Sequence, residues 1–300
     1  MRIEISATRL GDVIFESFTK SRSKGIGEVV ASSQNSFYVR TNEGELNFFT
    51  NRQLGSPVTV NLASNLNFEE LVPPNSGVTL RESKILIGDD VTIRFDTAKP
   101  YRESIDPPAS KLSVSHNTLH VVASVLGMLD VNLSVLDANG IAHDRCRRFV
   151  RAIAVPLRES SNQGQFVSNA PDLLGLGTGF TPSGDDLLGG FLATWNSLAE
   201  MVGRSKILLD FEILRRRTNW ISAKLLDYMQ RELLDSQVSQ AIQSSFMDGE
   251  DFVLAVETLF SRGHTSGLDL STGILLAISL ILDIENNTKS TEAFLMRMGL

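Results

Sequence analysis

The stretch Leu174–Leu192 reads LGLGTGFTPSGDDLLGGFL. It alternates glycine with other residues at Gly175, Gly177 and Gly179, and breaks at Thr181-Pro182-Ser183-Gly184. It then passes two adjacent aspartates into an apolar run. A shorter echo follows at Gly263–Leu276, GHTSGLDLSTGILL. Displaced by 83 positions, Ser183/Ser266, Gly184/Gly267, Asp186/Asp269, Leu187/Leu270, Gly190/Gly273 and Leu192/Leu275 coincide. The pattern S-G-x-D-L-x-x-G-x-L therefore occurs twice. A serine three residues before an acid, ahead of an apolar run, is the signature of a capping box. The spacing predicts that Ser183 and Ser266 each open a helix. Each hydroxyl would accept from the third helical amide, and Asp186 and Asp269 would reach back to the serine amides. Gly190 and Gly273 lie one helical turn behind the acids. A helical glycine costs about 1 kcal/mol against alanine, so a glycine there implies close approach of another backbone. The two repeats are expected to pack near one another, with their N-termini facing a common cleft.

That cleft predicts a chemistry. Glycine at alternate positions lets backbone amides approach a ligand without Cβ obstruction. A helix N-terminus adds unsatisfied N–H donors and about half a positive charge. Together they favour a small anionic metabolite, a phosphate or a carboxylate. The spacing matches neither a Walker A loop nor a dinucleotide fingerprint. The expected substrate-binding residues are Gly177, Gly179, Thr181, Ser183, Gly184, Asp186, Thr265, Ser266, Gly267 and Asp269. Asp185 is not required by a cap and is the first catalytic candidate. His264, two residues before Ser266, is the second, since imidazole exchanges protons near neutral pH. No metal ligand set and no cofactor is implied. The one cation reading is a hydrated divalent ion at Asp185. A purely structural reading, caps plus glycine-mediated helix packing, stands beside the functional one.

At these residues the chain resembles a bacterial family that includes the AllH subunit of oxamate carbamoyltransferase, from anaerobic allantoin degradation. The family's hallmarks are GLGxGxTPSGDDxLxG and GHTSGxDxxxG. Gly175–Gly190 fits the first and Gly263–Gly273 the second. Phe180 stands where the family usually has a small or aliphatic residue. The close match covers about Leu174–Leu276, and the first third matches only in general character. The resemblance implies a carbamoyltransferase subunit in purine and nitrogen catabolism, acting with FdrA-like and other subunits of the same complex. The implied reaction exchanges a carbamoyl group between oxalurate and phosphate, giving oxamate and carbamoyl phosphate. The alternative is a non-catalytic ligand-binding or scaffold subunit of such a complex.

The remaining sequence frames these motifs. Short β-branched runs at Gly27–Ala31, Phe37–Arg40, Leu46–Phe49, Val58–Leu62, Val78–Arg81 and Val91–Phe95 are separated by turn residues. They predict an α+β chain: a small antiparallel β barrel or sandwich over 1–108, then a larger, mainly helical domain over 109–300 that carries both motifs. Asp106-Pro107-Pro108 is the expected linker. Helical spacing runs through 112–136, 187–202, 207–233, 236–246, 250–261 and 269–284. His116 and His120 share a helix face but lack a supporting ligand pattern, and the arginines at 145, 147, 148 and 151 read as a solvated face. Cys146 alone permits no intrachain disulfide and reads as a packing residue. The 300 residues are 42% hydrophobic and 21% charged, with net charge −7, which disfavours a nucleic-acid footprint. The longest apolar run, Ile274–Leu282, is short of the ~20 residues a bilayer span needs. A soluble cytoplasmic protein with no membrane partner is expected.

Overall fold

The computed structural model describes residues 3–20, 25–101, 112–128, 134–159, 163–247 and 249–300. The expected linker Asp106-Pro107-Pro108 lies outside them. The chain divides into two units, Met1–Ser104 with Leu233–Ser236, and Ile105–Glu232 with Gln237–Leu300.

The first unit holds β1 (Ile3–Gly11), α1 (Asp12–Lys20), β2 (Gly25–Ser33), β3 (Ser36–Thr41), β4 (Leu46–Thr50), β5 (Thr59–Ala63), α2 (Phe68–Leu71), β6 (Gly77–Arg81), β7 (Lys84–Ile87), β8 (Val91–Arg94) and β9 (Lys99–Tyr101). The sheet order is β5-β4-β3-β2-β6-β7-β8-β1, and β1 pairs back onto β5. Eight strands therefore form a closed barrel, which removes the open edges a sandwich would leave. β9 runs parallel to the far end of β1. Three pairings are parallel rather than antiparallel: β1 with β8, β1 with β9, and β4 with β5. Register shifts between Ala7 and Arg9 in β1 and between Val29 and Ala31 in β2 mark bulges, the usual means of bending strands into a barrel. Alternate residues point inward. On β3 these are Phe37 and Val39, and Phe37 stacks on Phe49 at 4.6 Å and meets the edge of Phe68 at 5.4 Å. The Gly88-Asp89-Asp90 turn between β7 and β8 is exposed, so its paired carboxylates are solvated.

The helical part holds α3 (His116–Met128), α4 (Ile141–Glu159), α5 (Gly164–Asn169), α6 (Ser183–Leu198), α7 (Phe211–Arg217), α8 (Trp220–Gln230), α9 (Ser236–Gln243), α10 (Gly249–Phe260), α11 (Ser266–Asn286) and α12 (Ser290–Arg297). The periodic stretch 207–233 is two helices rather than one. Asp210 caps α7 through the Glu212 amide, Asn219 caps α8 through the Ser222 amide, and Thr218 between them is extended. Both caps are local side-chain bonds that interrupt an otherwise helical pattern.

α6 and α11 form the centre of this unit, and both are buried on nearly every face. By length and composition α11 is apolar enough to cross a membrane, yet 94% of its apolar stretch is buried inside the protein, so it is a core helix. The two helices touch backbone to backbone at the predicted glycines. A Cβ on Gly190 would lie 2.1 Å from the Leu270 carbonyl oxygen, and one on Gly273 would lie 2.0 Å from that of Leu187. Gly190 and Gly273 occupy equivalent places in the repeat, as do Leu187 and Leu270, so the contact is reciprocal.

Candidate functional site

The α6 N-terminus begins at Pro182, whose φ of −57° and ψ of 145° end the glycine loop. The Pro182 carbonyl accepts from Asp185 N at 2.9 Å and Asp186 N at 3.0 Å. The α11 N-terminus begins at half-buried Thr265, whose carbonyl accepts from Asp269 N at 3.1 Å. Neither start carries a side-chain cap. This corrects the capping-box expectation, because the serines lie one position inside each helix. Their hydroxyls turn across to the other repeat. Ser266 hydrogen-bonds towards Asp186, and Ser183 hydrogen-bonds towards Asp269. The serine and aspartate of each copy are thus linked to the partner copy rather than to each other.

Around this crossing the two loops meet. The hydroxyls of Thr181 and Ser266 lie 3.0 Å apart, joining the glycine loop to the Gly-His-Thr turn. Gly175, Gly177 and Gly179 adopt φ of 74°, 115° and 92°, the left-handed region that favours glycine. Gly177 also has no room for a side chain, since a Cβ would lie 2.7 Å from Ser183 N. Among the described residues, the exposed amides of Gly177, Thr178 and Gly179 donate to no protein acceptor. Phe180 is exposed, and its carbonyl is held by Asn219 Nδ2 at 3.0 Å. His264 is exposed in the facing turn. Gly184 and Gly267 sit beneath the loops instead. Cβ atoms there would come within 2.1 Å of the Leu173 carbonyl oxygen and 2.0 Å of the Leu259 carbonyl oxygen, so close packing fixes both residues.

The two aspartates of TPSGDD have opposite surroundings. Asp185 is buried and bonded into the scaffold. Its Oδ1 accepts from Gly175 N at 2.8 Å, and its Oδ2 accepts from Ser222 Oγ at 2.6 Å and from the Thr218 hydroxyl. Burial raises its pKa, and these three donors oppose the rise. With both oxygens engaged, Asp185 anchors the glycine loop to α8.

Asp186 and Asp269 are less fully partnered. Burial drives the Asp186 pKa up to about 8, against the pull of Ser266, with the nearby Asp269 charge adding to the rise and Arg262 and Thr181 opposing it. Burial also lifts Asp269 to about 6, against hydrogen bonds from Ser134, Val135, Ser183 and Thr265. Asp269 Oδ1 accepts from Ser134 Oγ at 2.6 Å and Val135 N at 2.9 Å. His143 Nδ1 lies 3.0 Å from the Val135 carbonyl and steadies that segment. Among the described residues, Asp186 Oδ2 and Asp269 Oδ2 are buried without a hydrogen-bond partner. Cys146 is buried nearby, and burial together with the Asp269 charge raises its thiol pKa, so it is an inert packing residue.

The structure therefore brings together Thr181, Ser183, Asp186, Thr265, Ser266 and Asp269, with Gly177 packed on Ser183, leaves Gly179 and His264 exposed, and bonds Asp185 into the scaffold. Sequence reasoning missed Ser134, Val135, Thr218 and Ser222. They lie between 33 and 135 positions from the aspartates they bond, with no local pattern to mark them.

Proposed function

We infer a function from one likeness: residues 173–278 match the family model described as oxamate carbamoyltransferase subunit AllH, so this segment is similar to that family. No curated protein and no solved structure matches the chain. We propose that the chain is a subunit of a carbamoyltransferase-type complex in purine and nitrogen catabolism, working in the cytoplasm with FdrA-like and other subunits. In this reading the paired loops bind a small anionic metabolite of the oxalurate, oxamate and carbamoyl phosphate set. The observation that carries it is the Thr181–Ser266 contact at 3.0 Å, which joins the two motif loops beside exposed, unengaged amides. The amides of Gly177, Thr178 and Gly179 would hold the anion, and the hydroxyls of Thr181 and Ser266 would fix its orientation. His264 is the proton donor or acceptor facing it, and Asp185 is a positioning residue. Transfer of this kind rests on placement and electrostatic stabilisation, with no protein nucleophile.

Titrating the full chain with carbamoyl phosphate and with oxamate by calorimetry tests the reading. Binding that weakens at least tenfold in Thr181→Ala and Gly179→Ala is expected. Absence of binding to every member of the set, with or without partner subunits, ends it. The full engagement of Asp185 supports a second reading, a binding or scaffold subunit with no catalytic group of its own. In the assembled complex His264→Ala separates the two, since a scaffold keeps its turnover and a catalytic subunit does not.

A further inference from the structure

The carboxylates of Asp186 and Asp269 come from two crossing helices, yet each retains a buried oxygen that no described group satisfies. An unsatisfied buried acceptor is costly, and two neighbouring negative charges in a buried setting repel. Asp186 is 8% exposed and Asp269 fully buried, so solvent does not relieve either one. The surrounding donor atoms are oxygens, from Ser266 and Thr181 beside Asp186 and from Ser134, Ser183 and Thr265 beside Asp269. We propose that Asp186 and Asp269 together hold a hard divalent cation of the Mg2+ class.

Charge and ligand chemistry favour this occupant. The two helix N-termini contribute about half a positive charge each, about +1 in all, which falls short of balancing two carboxylates in the deprotonated form that a metal requires. The two buried oxygens without a partner suit a cation, and Arg262 also acts on Asp186. Among the described residues no group of three or more His, Cys, Asp or Glu is arranged for a metal. That excludes a closed nitrogen and sulfur site of the zinc type. Mg2+ is commonly held by only one or two carboxylates, and fills its remaining positions with water and substrate oxygens. Asp185 is left out of this pair, because three donors already hold it in the scaffold. A cation at this place also removes a conflict. Two bare carboxylates beneath the glycine loop would repel an anion, whereas a bound cation draws it in. This last step rests on the function proposed above; the cation site itself does not.

The test uses the full chain, freed of metal with a chelator, and titrated with Mn2+ while free Mn2+ is followed by electron paramagnetic resonance. One Mn2+ bound per chain and displaced by Mg2+ is expected, with at least tenfold weaker binding in Asp186→Asn and Asp269→Asn. Lack of stoichiometric Mn2+ binding by the wild type overturns the proposal, as does unchanged binding in a folded Asp186→Asn. Should the variants not fold, the wild-type stoichiometry and the Mg2+ competition decide alone. Phosphate and carbamoyl phosphate are titrated with and without Mg2+ in parallel. Mn2+ binding without anion binding keeps the cation site and removes the metabolite reading. Anion binding without Mn2+ binding does the reverse.

Discussion

Replacing Gly273 by alanine tests whether the α6–α11 crossing holds the helical unit together. The new Cβ would stand 2.0 Å from the Leu187 carbonyl oxygen and 2.7 Å from Phe191 N, both backbone atoms on the facing helix. Neither can swing aside, so the helices must part by more than 1 Å to reach ordinary contact near 3.4 Å. Overpacking a tight core costs about 1–3 kcal/mol, and a rigid backbone clash belongs at the top of that range. Alanine returns about 1 kcal/mol through its better helix propensity. The net expectation is a loss of about 2 kcal/mol. Trp195 is fully buried on α6, so urea unfolding followed by its fluorescence reads the effect directly. Gly189→Ala is the control, because its Cβ would meet Met229 Sδ at 2.6 Å, the movable end of a flexible side chain. It should change stability by no more than about 1 kcal/mol. Gly190→Ala combined with Gly273→Ala should cost less than the sum of the two, since one parting of the helices relieves both clashes. Wild-type stability in Gly273→Ala would refute the reasoning.

Four further outcomes are expected. Asp185→Ala strands the Gly175 amide and the Thr218 and Ser222 hydroxyls, and should destabilise by about 3 kcal/mol in chemical denaturation. In metal-free protein, Asp186 and Asp269 keep their protons in the folded state after the unfolded chain has lost them. Stability is therefore full below about 3.8 and falls as pH rises towards about 6 for Asp269 and about 8 for Asp186. Asp186→Asn should flatten the upper part of that fall in unfolding curves measured between those limits, and an unaltered slope would show that Asp186 is not its source. His264→Ala, at an exposed turn, should leave unfolding curves unchanged while lowering turnover of the assembled complex about 100-fold. Cys146 should resist thiol reagents in the native protein and react once urea unfolds it.

What the sequence made legible was whatever has a local period. The β-branched runs gave six of the barrel strands, and the glycine one turn behind each acid gave the helix crossing. β1 and β7 were not read as strands, although Gly88-Asp89-Asp90 sets off the end of Lys84–Ile87, and β9 is three residues long. The division between α7 and α8 was hidden in a periodic stretch, because Asp210 and Asn219 read as ordinary surface positions until their capping bonds are seen. At the site, adjacency in sequence said nothing of the aspartates' distant partners. No cap requires Asp185, yet Thr218 and Ser222, more than 30 positions away, donate to it.

The crossed pairing of serines and aspartates explains why the motif occurs twice. A single copy with its own capping box would be complete and would need no partner. Here Ser183 serves Asp269 and Ser266 serves Asp186, so each helix start depends on the other. The glycines enforce the same dependence, since Gly190 receives Leu270 and Gly273 receives Leu187. The contacts that fix the distance between the helices thereby fix the distance between the two carboxylates and between the two loops above them. Any change that parts the helices at the glycines should also open the Thr181–Ser266 contact and weaken ligand binding in step with stability. Gly273→Ala should therefore lose Mn2+ affinity although it touches neither aspartate, and unchanged affinity there would separate the packing of the crossing from the chemistry assigned to it.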